Sequence, residues 1–146
     1  MIELYTAPTP NGHKVSCTLE ALEMDYKAIL VNLSEGEQKK PDFLKISPNG
    51  RIPAIIDTSN NLSIFESGAI MIYLADKAEK LISKDESKRA KVMEWLMFQM
   101  GGVGPMMGQA MYFQRIAALN GENNQFSIKL SLIHISDPTR HECIAY

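Results

Sequence analysis

The sequence predicts an α/β domain with the element order βαβ-α-ββα over residues 1–79, followed by the start of an all-α helical domain over residues 86–129. Three observations carry that prediction. The apolar period switches from strand to helix and back within the first 31 residues. A second pair of apolar runs flanks a turn-rich stretch, and a charged, weakly patterned stretch then precedes a helix that is apolar around much of its circumference. A chain of 146 residues with 45% hydrophobic content can build the core this needs.

Ile2-Glu3-Leu4-Tyr5 reads as a short buried strand, and residues 6–12 after it are dense in Pro and Gly, which break regular structure. Val15, Leu19 and Leu22 then recur at helical spacing until Met24-Asp25 ends the pattern. Residues 26–31 form a second strand, so the opening is a βαβ unit, which implies a parallel pair joined by a right-handed crossover. Residues 36–46 are weakly helical, anchored by Phe43 and Leu44 and stopped by Ser47-Pro48-Asn49-Gly50. Ala54-Ile55-Ile56 and Leu62-Ser63-Ile64-Phe65 flank the turn-rich residues 57–61 as a β-hairpin. Ser67 caps a helix with Ile70, Tyr73 and Leu74 on one side. Residues 77–88 read as a linker. In residues 91–100, Val92, Trp95 and Leu96 predict burial in a bundle or a dimer contact, before Gly101-Gly102-Val103-Gly104-Pro105 interrupts the helix. Helical patterning resumes from Met106 and fades near Asn120, and residues 121–124 read as a loop.

With 15 basic and 17 acidic side chains the net charge is -2, too weak a field to draw the chain to nucleic acid or an anionic membrane. Met1 leads directly into a strand, which leaves no room for a signal segment, and no apolar run is long enough to span a bilayer. Cys17 and Cys143 are too few for a disulfide framework and match no zinc spacing, so a cytoplasmic setting and no metal site are expected. Cys17, in the first helix, reads as a small buried hydrophobe, and His13 as a lone surface residue.

In a βαβ fold the ligand crevice lies beyond the carboxyl ends of the parallel strands, which points to residues 7–12. Thioredoxin-type enzymes carry a cysteine pair there, whereas this segment, Thr9-Pro10-Asn11-Gly12, offers a hydroxyl and an amide but no thiol. If the domain does sulfur chemistry, the sulfur arrives with the ligand, and a helix amino terminus favours its thiolate. The same residues also suit a plain helix start, with Thr9 capping and Pro10 in the first turn. A cis bond before Pro53 would let the backbone of Ile52 pair with a peptide, but an ordinary trans proline at a strand edge is by far the commoner arrangement. Glu66-Ser67, where the last strand meets a helix, could meet the ammonium and carboxylate of an amino-acid head group, or could simply cap the helix.

Three segments, Thr9-Pro10-Asn11-Gly12-His13-Lys14, Ser47-Pro48-Asn49-Gly50-Arg51-Ile52-Pro53 and Phe65-Glu66-Ser67-Gly68-Ala69-Ile70, together resemble the glutathione transferase superfamily. Gly36-Glu37-Gln38 and residues 99–109 look like its bacterial nu class, the glutathione disulfide-bond reductase type, and the resemblance runs from residue 1 to about residue 114. It implies a thioredoxin-like fold and glutathione as co-substrate. Thr9 and Asn11 would face the glutathione sulfur, Ile52 would pair with the cysteinyl backbone before cis Pro53, and Glu66 with Ser67 would hold the γ-glutamyl end. Gln38 would touch another part of the peptide, and Arg51 the glycyl carboxylate. Partners implied are glutathione or its disulfide, an electrophile or disulfide substrate of unread identity, and a second copy of the full-length chain.

The resemblance also implies a helical domain of which residues 86–129 supply two helices, so the domain is read as truncated. From Leu130 the chain alternates like a strand and looks like the in-frame translation of a transposase-type sequencing adapter, so residues 130–146, including His134, His141 and Cys143, are read as a non-native tail. Three functions stay open at this point: a glutathione-dependent transferase or disulfide reductase, a non-catalytic binding or scaffold module on the same fold, and an inactive fragment of such an enzyme.

Overall fold

The computed structural model describes residues 1–117, 119–121 and 125–136. They fall into two compact units that divide between Arg89 and Ala90. In the first unit, β1 (Ile2–Thr6), α1 (Pro10–Ala21) and β2 (Tyr26–Leu30) make the opening βαβ. A 3-10 turn (Glu37–Lys39) and α2 (Pro41–Ile46) follow, and β3 (Ala54–Asp57), β4 (Leu62–Phe65) and α3 (Ser67–Ala78) complete the unit. The sheet order is β2-β1-β3-β4, with β1 parallel to β2, β3 antiparallel to β1, and β4 antiparallel to β3.

Strand alternation distributes the core over both faces of this sheet. Ile2 and Leu4 of β1 and Ile55 of β3 point to one face, where they pack with Val15, Leu19 and Leu22 of the first helical segment and Ile70 and Leu74 of α3. Their neighbours Tyr5 and Ala54 point to the other face and meet Val31, Phe43 and Ile46 of the α2 side. Each fully buried Leu or Ile contributes about 1.5–3 kcal/mol. The α-helices on the first face therefore hold β1 and β3 rigidly, and the loops at the ends of those strands inherit fixed starting points.

At the end of the sheet where Ile2 pairs with Asp57, the Asp57 carboxylate is wholly buried. It accepts from Lys77 Nζ at 2.6 Å, Tyr73 Oη at 2.6 Å and Ser59 Oγ at 2.7 Å. Burial alone would raise its pKa, but the hydrogen bonds from Lys77, Tyr73 and Ser59 outweigh it and hold the group far below the ordinary carboxylate range. Lys77 thus belongs to α3 and to this network, so the segment between α3 and the next helix is shorter than the 77–88 linker expected. Beyond that segment, Arg89 reaches back to Asp76 through a two-pronged ion pair at 2.6 and 2.9 Å.

The next helix, α4 (Glu86–Phe98), runs from the first unit into the second. In the second unit a π-helical turn (Gln99–Val103) leads into α5 (Gly104–Met111), a second π-helical turn (Tyr112–Ala117) follows, and α6 (Gln125–Ser136) packs against α5. The glycines and Pro105 do not interrupt the helical path as expected. They widen it, because a wider turn gives room to a proline that cannot donate the usual backbone bond. In this single chain α4 buries no residue, and Val92, Trp95, Met97 and Phe98 are exposed. Residues 130–136 continue α6 and do not form a strand, while 122–124 and 137–146, with His141 and Cys143, lie outside the described residues. Among the described residues no helix is long and apolar enough to cross a membrane.

Candidate functional site

The turn after β1 has a backbone that its own residues close. Thr9 is extended (φ -130°, ψ 158°) and caps α1, its Oγ1 accepting from Gly12 N–H at 3.2 Å, with Pro10 in the first turn. Gly12 is buried where a Cβ would run into Ala7 O and Thr6 Oγ1, so only glycine lets the helix start this close to the strand. The helix-start reading of this segment is therefore correct, and it does not use up the donors. With Oγ1 accepting from the backbone, the Thr9 hydroxyl hydrogen is left to point elsewhere. Asn11 Oδ1 accepts from Lys14 Nζ at 2.9 Å, which leaves the two N–H groups of its amide to donate. Burial lowers the Lys14 pKa from its ordinary value. Thr9 also borders an open groove of about 440 Å³ shared with Pro8, Leu30, Val31 and Leu33.

Strand register lines three segments up at this end of the sheet. Tyr5 pairs with Ala54 and Ala54 with Phe65, so Thr6-Ala7, Pro53 and Glu66 follow one another across three strands. The Ile52-Pro53 bond is cis. Asn49 Nδ2 donates to Glu66 Oε1 at 3.4 Å, tying the loop before β3 to the end of β4. Gln38 enters through the 3-10 turn: the Glu37 carboxylate accepts from Asn32 N–H at 2.8 Å and from Lys40 Nζ at 3.0 Å, bonds that lower its pKa, the backbone one most. Gly50, at φ +61°, lies against Gln38 O and Lys39 Nζ, which brings Gln38 to the same loop. Gln38 Oε1 is buried with no hydrogen-bond partner among the described residues, an arrangement that costs about 1–3 kcal/mol.

Ser67 departs from expectation. It is the first residue of α3 and is buried, while Glu66 occupies the capping position with no side-chain cap bond. Glu66 has φ 70° and ψ 116°, a conformation that costs a non-glycine residue about 1–3 kcal/mol. The conformation turns its exposed carboxylate toward Asn49 instead of back over the helix end. Arg51 is exposed, and its carbonyl accepts from the buried Ser47 hydroxyl at 2.9 Å, which fixes the backbone before the cis bond. Cys17 is exposed on α1, contrary to the buried position expected, because it falls off the stripe made by Val15 and Leu19. His13 is exposed as expected.

Residues 1–76 match the family described as glutathione S-transferase, N-terminal domain. The chain belongs to the glutathione transferase family. It is 51% identical over 122 residues to the disulfide-bond oxidoreductase YfcG of Escherichia coli (strain K12), covering 80% of this chain and 57% of that protein. It is 42% identical over 112 residues to the protein URE2 of Meyerozyma guilliermondii, covering 72% of this chain and 37% of URE2. Among solved structures, a glutathione transferase family member from Pseudomonas fluorescens pf-5 with two glutathione bound superposes with a TM-score of 0.86 at 42% identity, over 91% of this chain and 60% of that one. A glutathione transferase from Pseudomonas putida with one glutathione disulfide bound per subunit gives 0.85 at 40% identity, over 91% and 59%. The chain thus spans well under two thirds of the length of these relatives.

Within this glutathione transferase fold, sequence reasoning missed Lys14, Asn49 and Lys39. Lys39 Nζ donates to Asn49 O at 3.3 Å. Lys14 had a readable signal, since it lies three residues after Asn11 on one helix, where side chains meet. Asn49 had none, because its partner Glu66 lies 17 residues away and meets it only through the strand register.

Proposed function

We propose that this chain is the glutathione-binding part of a glutathione-dependent transferase or disulfide-bond reductase, with glutathione as co-substrate and its thiolate as nucleophile. The observation that carries the reading is the thiol-free turn Thr9-Pro10-Asn11-Gly12, whose hydroxyl and amide have their acceptors engaged internally and their donors left over. Those donors at the start of α1 stabilise a thiolate over a thiol. Ile52 beside cis Pro53 pairs with the cysteinyl backbone, Glu66 and Ser67 hold the γ-glutamyl end, Gln38 finds a partner for its buried Oε1 on the peptide, and Arg51 meets the glycyl carboxylate. Residues 1–79 form the glutathione-binding domain, 86–129 belong to a helical domain, and 130–146 are a foreign tail. The full-length protein acts in the cytoplasm as a homodimer.

In the reductase reaction the bound thiolate attacks one sulfur of a disulfide. The new S–S bond joins glutathione to that sulfur, and the departing thiolate takes a proton from water. A second glutathione thiolate attacks the mixed disulfide, giving glutathione disulfide and a second substrate thiol, so two glutathiones supply the two electrons. In the transferase reaction the same thiolate attacks an electrophilic carbon, and the new C–S bond forms as a leaving group departs with the electron pair of the bond that breaks. The names of the similar proteins support the reductase branch, since one is a disulfide-bond oxidoreductase and one structure carries glutathione disulfide.

The test is calorimetric titration with glutathione and with its disulfide, alongside ultraviolet thiolate absorbance against pH, with ligand-free protein subtracted to remove its own cysteines. Saturable binding, with the bound thiol ionising well below the free thiol value of about 8.5, is expected. Absence of binding, or a bound thiol that titrates like the free one, overturns the reading.

A further inference from the structure

Lys14 is out of place on electrostatic grounds. It sits in the second turn from the positive end of α1, where a cation opposes the helix dipole, and the first turn supplies no acidic residue to offset it. It is half-buried, which further disfavours its charge. Its ammonium donates to Asn11 Oδ1 at 2.9 Å, a bond of charge-assisted length. A carboxamide has two faces of opposite polarity, and Asn11 is exposed, so nothing in the packing decides which of them points into the crevice. With Oδ1 drawn to Lys14, only the N–H face remains for a ligand. If the amide were reversed, its oxygen would confront an anionic sulfur and repel it.

The other charged groups at this end of the sheet have other engagements. Glu66 is bound by Asn49, and Lys39 by the Asn49 carbonyl, while Arg51 is exposed in the loop before β3. Lys14, by contrast, bonds directly to a side chain of the turn after β1.

We propose that Lys14 is a positioning residue for thiolate activation: it holds the Asn11 carboxamide with its N–H groups toward the ligand sulfur, so that the sulfur is met by donors alone. This rests on the glutathione-activating role given to Asn11 under the proposed function. It adds a component that acts through another residue and need not touch the peptide.

The experiment compares wild type, Lys14→Met, Lys14→Arg and Asn11→Ala in the 146-residue chain, reading the pKa of bound glutathione thiol by ultraviolet absorbance and the glutathione dissociation constant by calorimetry. Far-ultraviolet circular dichroism establishes that each variant is folded. Lys14→Met is expected to raise the bound-thiol pKa by roughly 0.5–1 unit while changing the dissociation constant less than about 3-fold, and Lys14→Arg, which keeps a cationic donor, should restore most of the shift. A merely structural lysine would not move the thiol pKa in the folded variant. If Asn11→Ala raises the thiol pKa and Lys14→Met does not, the positioning role is wrong and the activating role of Asn11 stands. If neither variant moves it, both are wrong.

Discussion

At the end of the sheet where Ile2 pairs with Asp57, a buried carboxylate receives Lys77, Tyr73 and Ser59 at 2.6 to 2.7 Å. At the opposite end, where Tyr5 pairs with Ala54, polar groups are arranged quite differently. Thr9 and Asn11 have spare donors, Gln38 has a buried acceptor without a partner among the described residues, and Glu66 is held in a strained backbone conformation. One scaffold thus carries a saturated end and an unsaturated end. The difference teaches that polar groups in this domain are left unpaired selectively, where a ligand could complete them, and that the saturated end supplies the rigidity that keeps them apart.

The strongest way to break this comparison is at the saturated end. Asp57→Ala strands the Tyr73 and Ser59 donors and should lower stability by about 2–4 kcal/mol in urea unfolding. Glutathione affinity of the folded protein should be nearly unchanged. If affinity falls in proportion, the two ends are not independent. The same carboxylate sets an acid limit. Because its folded pKa is depressed, its contribution is complete above the unfolded value near pH 4 and is lost as pH falls below that. Acid unfolding of Asp57→Asn should therefore be flatter below pH 4 than that of wild type.

At the unsaturated end the expected effects are smaller in stability and larger in chemistry. If the proposed function holds, Asn11→Ala should lower turnover on the order of 10-fold to 100-fold while leaving glutathione affinity within a few-fold, since its donors count most against a charged sulfur. Equal losses in both would contradict a thiolate-specific role. Glu66→Gly gives the smallest stability change and the sharpest contrast. It should raise stability by about 1 kcal/mol by relieving the φ 70° conformation, yet weaken glutathione binding. A variant that lost stability would show that Glu66 is held there for packing rather than for a ligand.

The strands and the first three helices were legible because each repeats an apolar period, as Ile2 and Leu4 do in β1 and Val15 and Leu19 in α1. The turn after β1 was legible because Pro8, Pro10 and Gly12 break regular structure there. Less could be seen where three-dimensional pairing overrides local signals. Ser67 follows a residue that looks like the end of a strand and has the chemistry of a cap, but the positive φ of Glu66 moves the helix start and buries it. Lys77 looked like linker because nothing in its neighbourhood reveals that Asp57, twenty positions earlier, lies beneath it. Cys17 looked apolar and is exposed, since residue type alone does not fix which side of α1 it occupies.

Thr9 and Gly12 stand at the spacing of a C-x-x-C redox pair. The first position has room for sulfur, whereas any side chain at the second would collide with Ala7 O and Thr6 Oγ1. A dithiol cannot be rebuilt here by point substitution without moving the strand end itself. Under the proposed function, sulfur chemistry at this turn therefore depends on a thiol that arrives with the ligand.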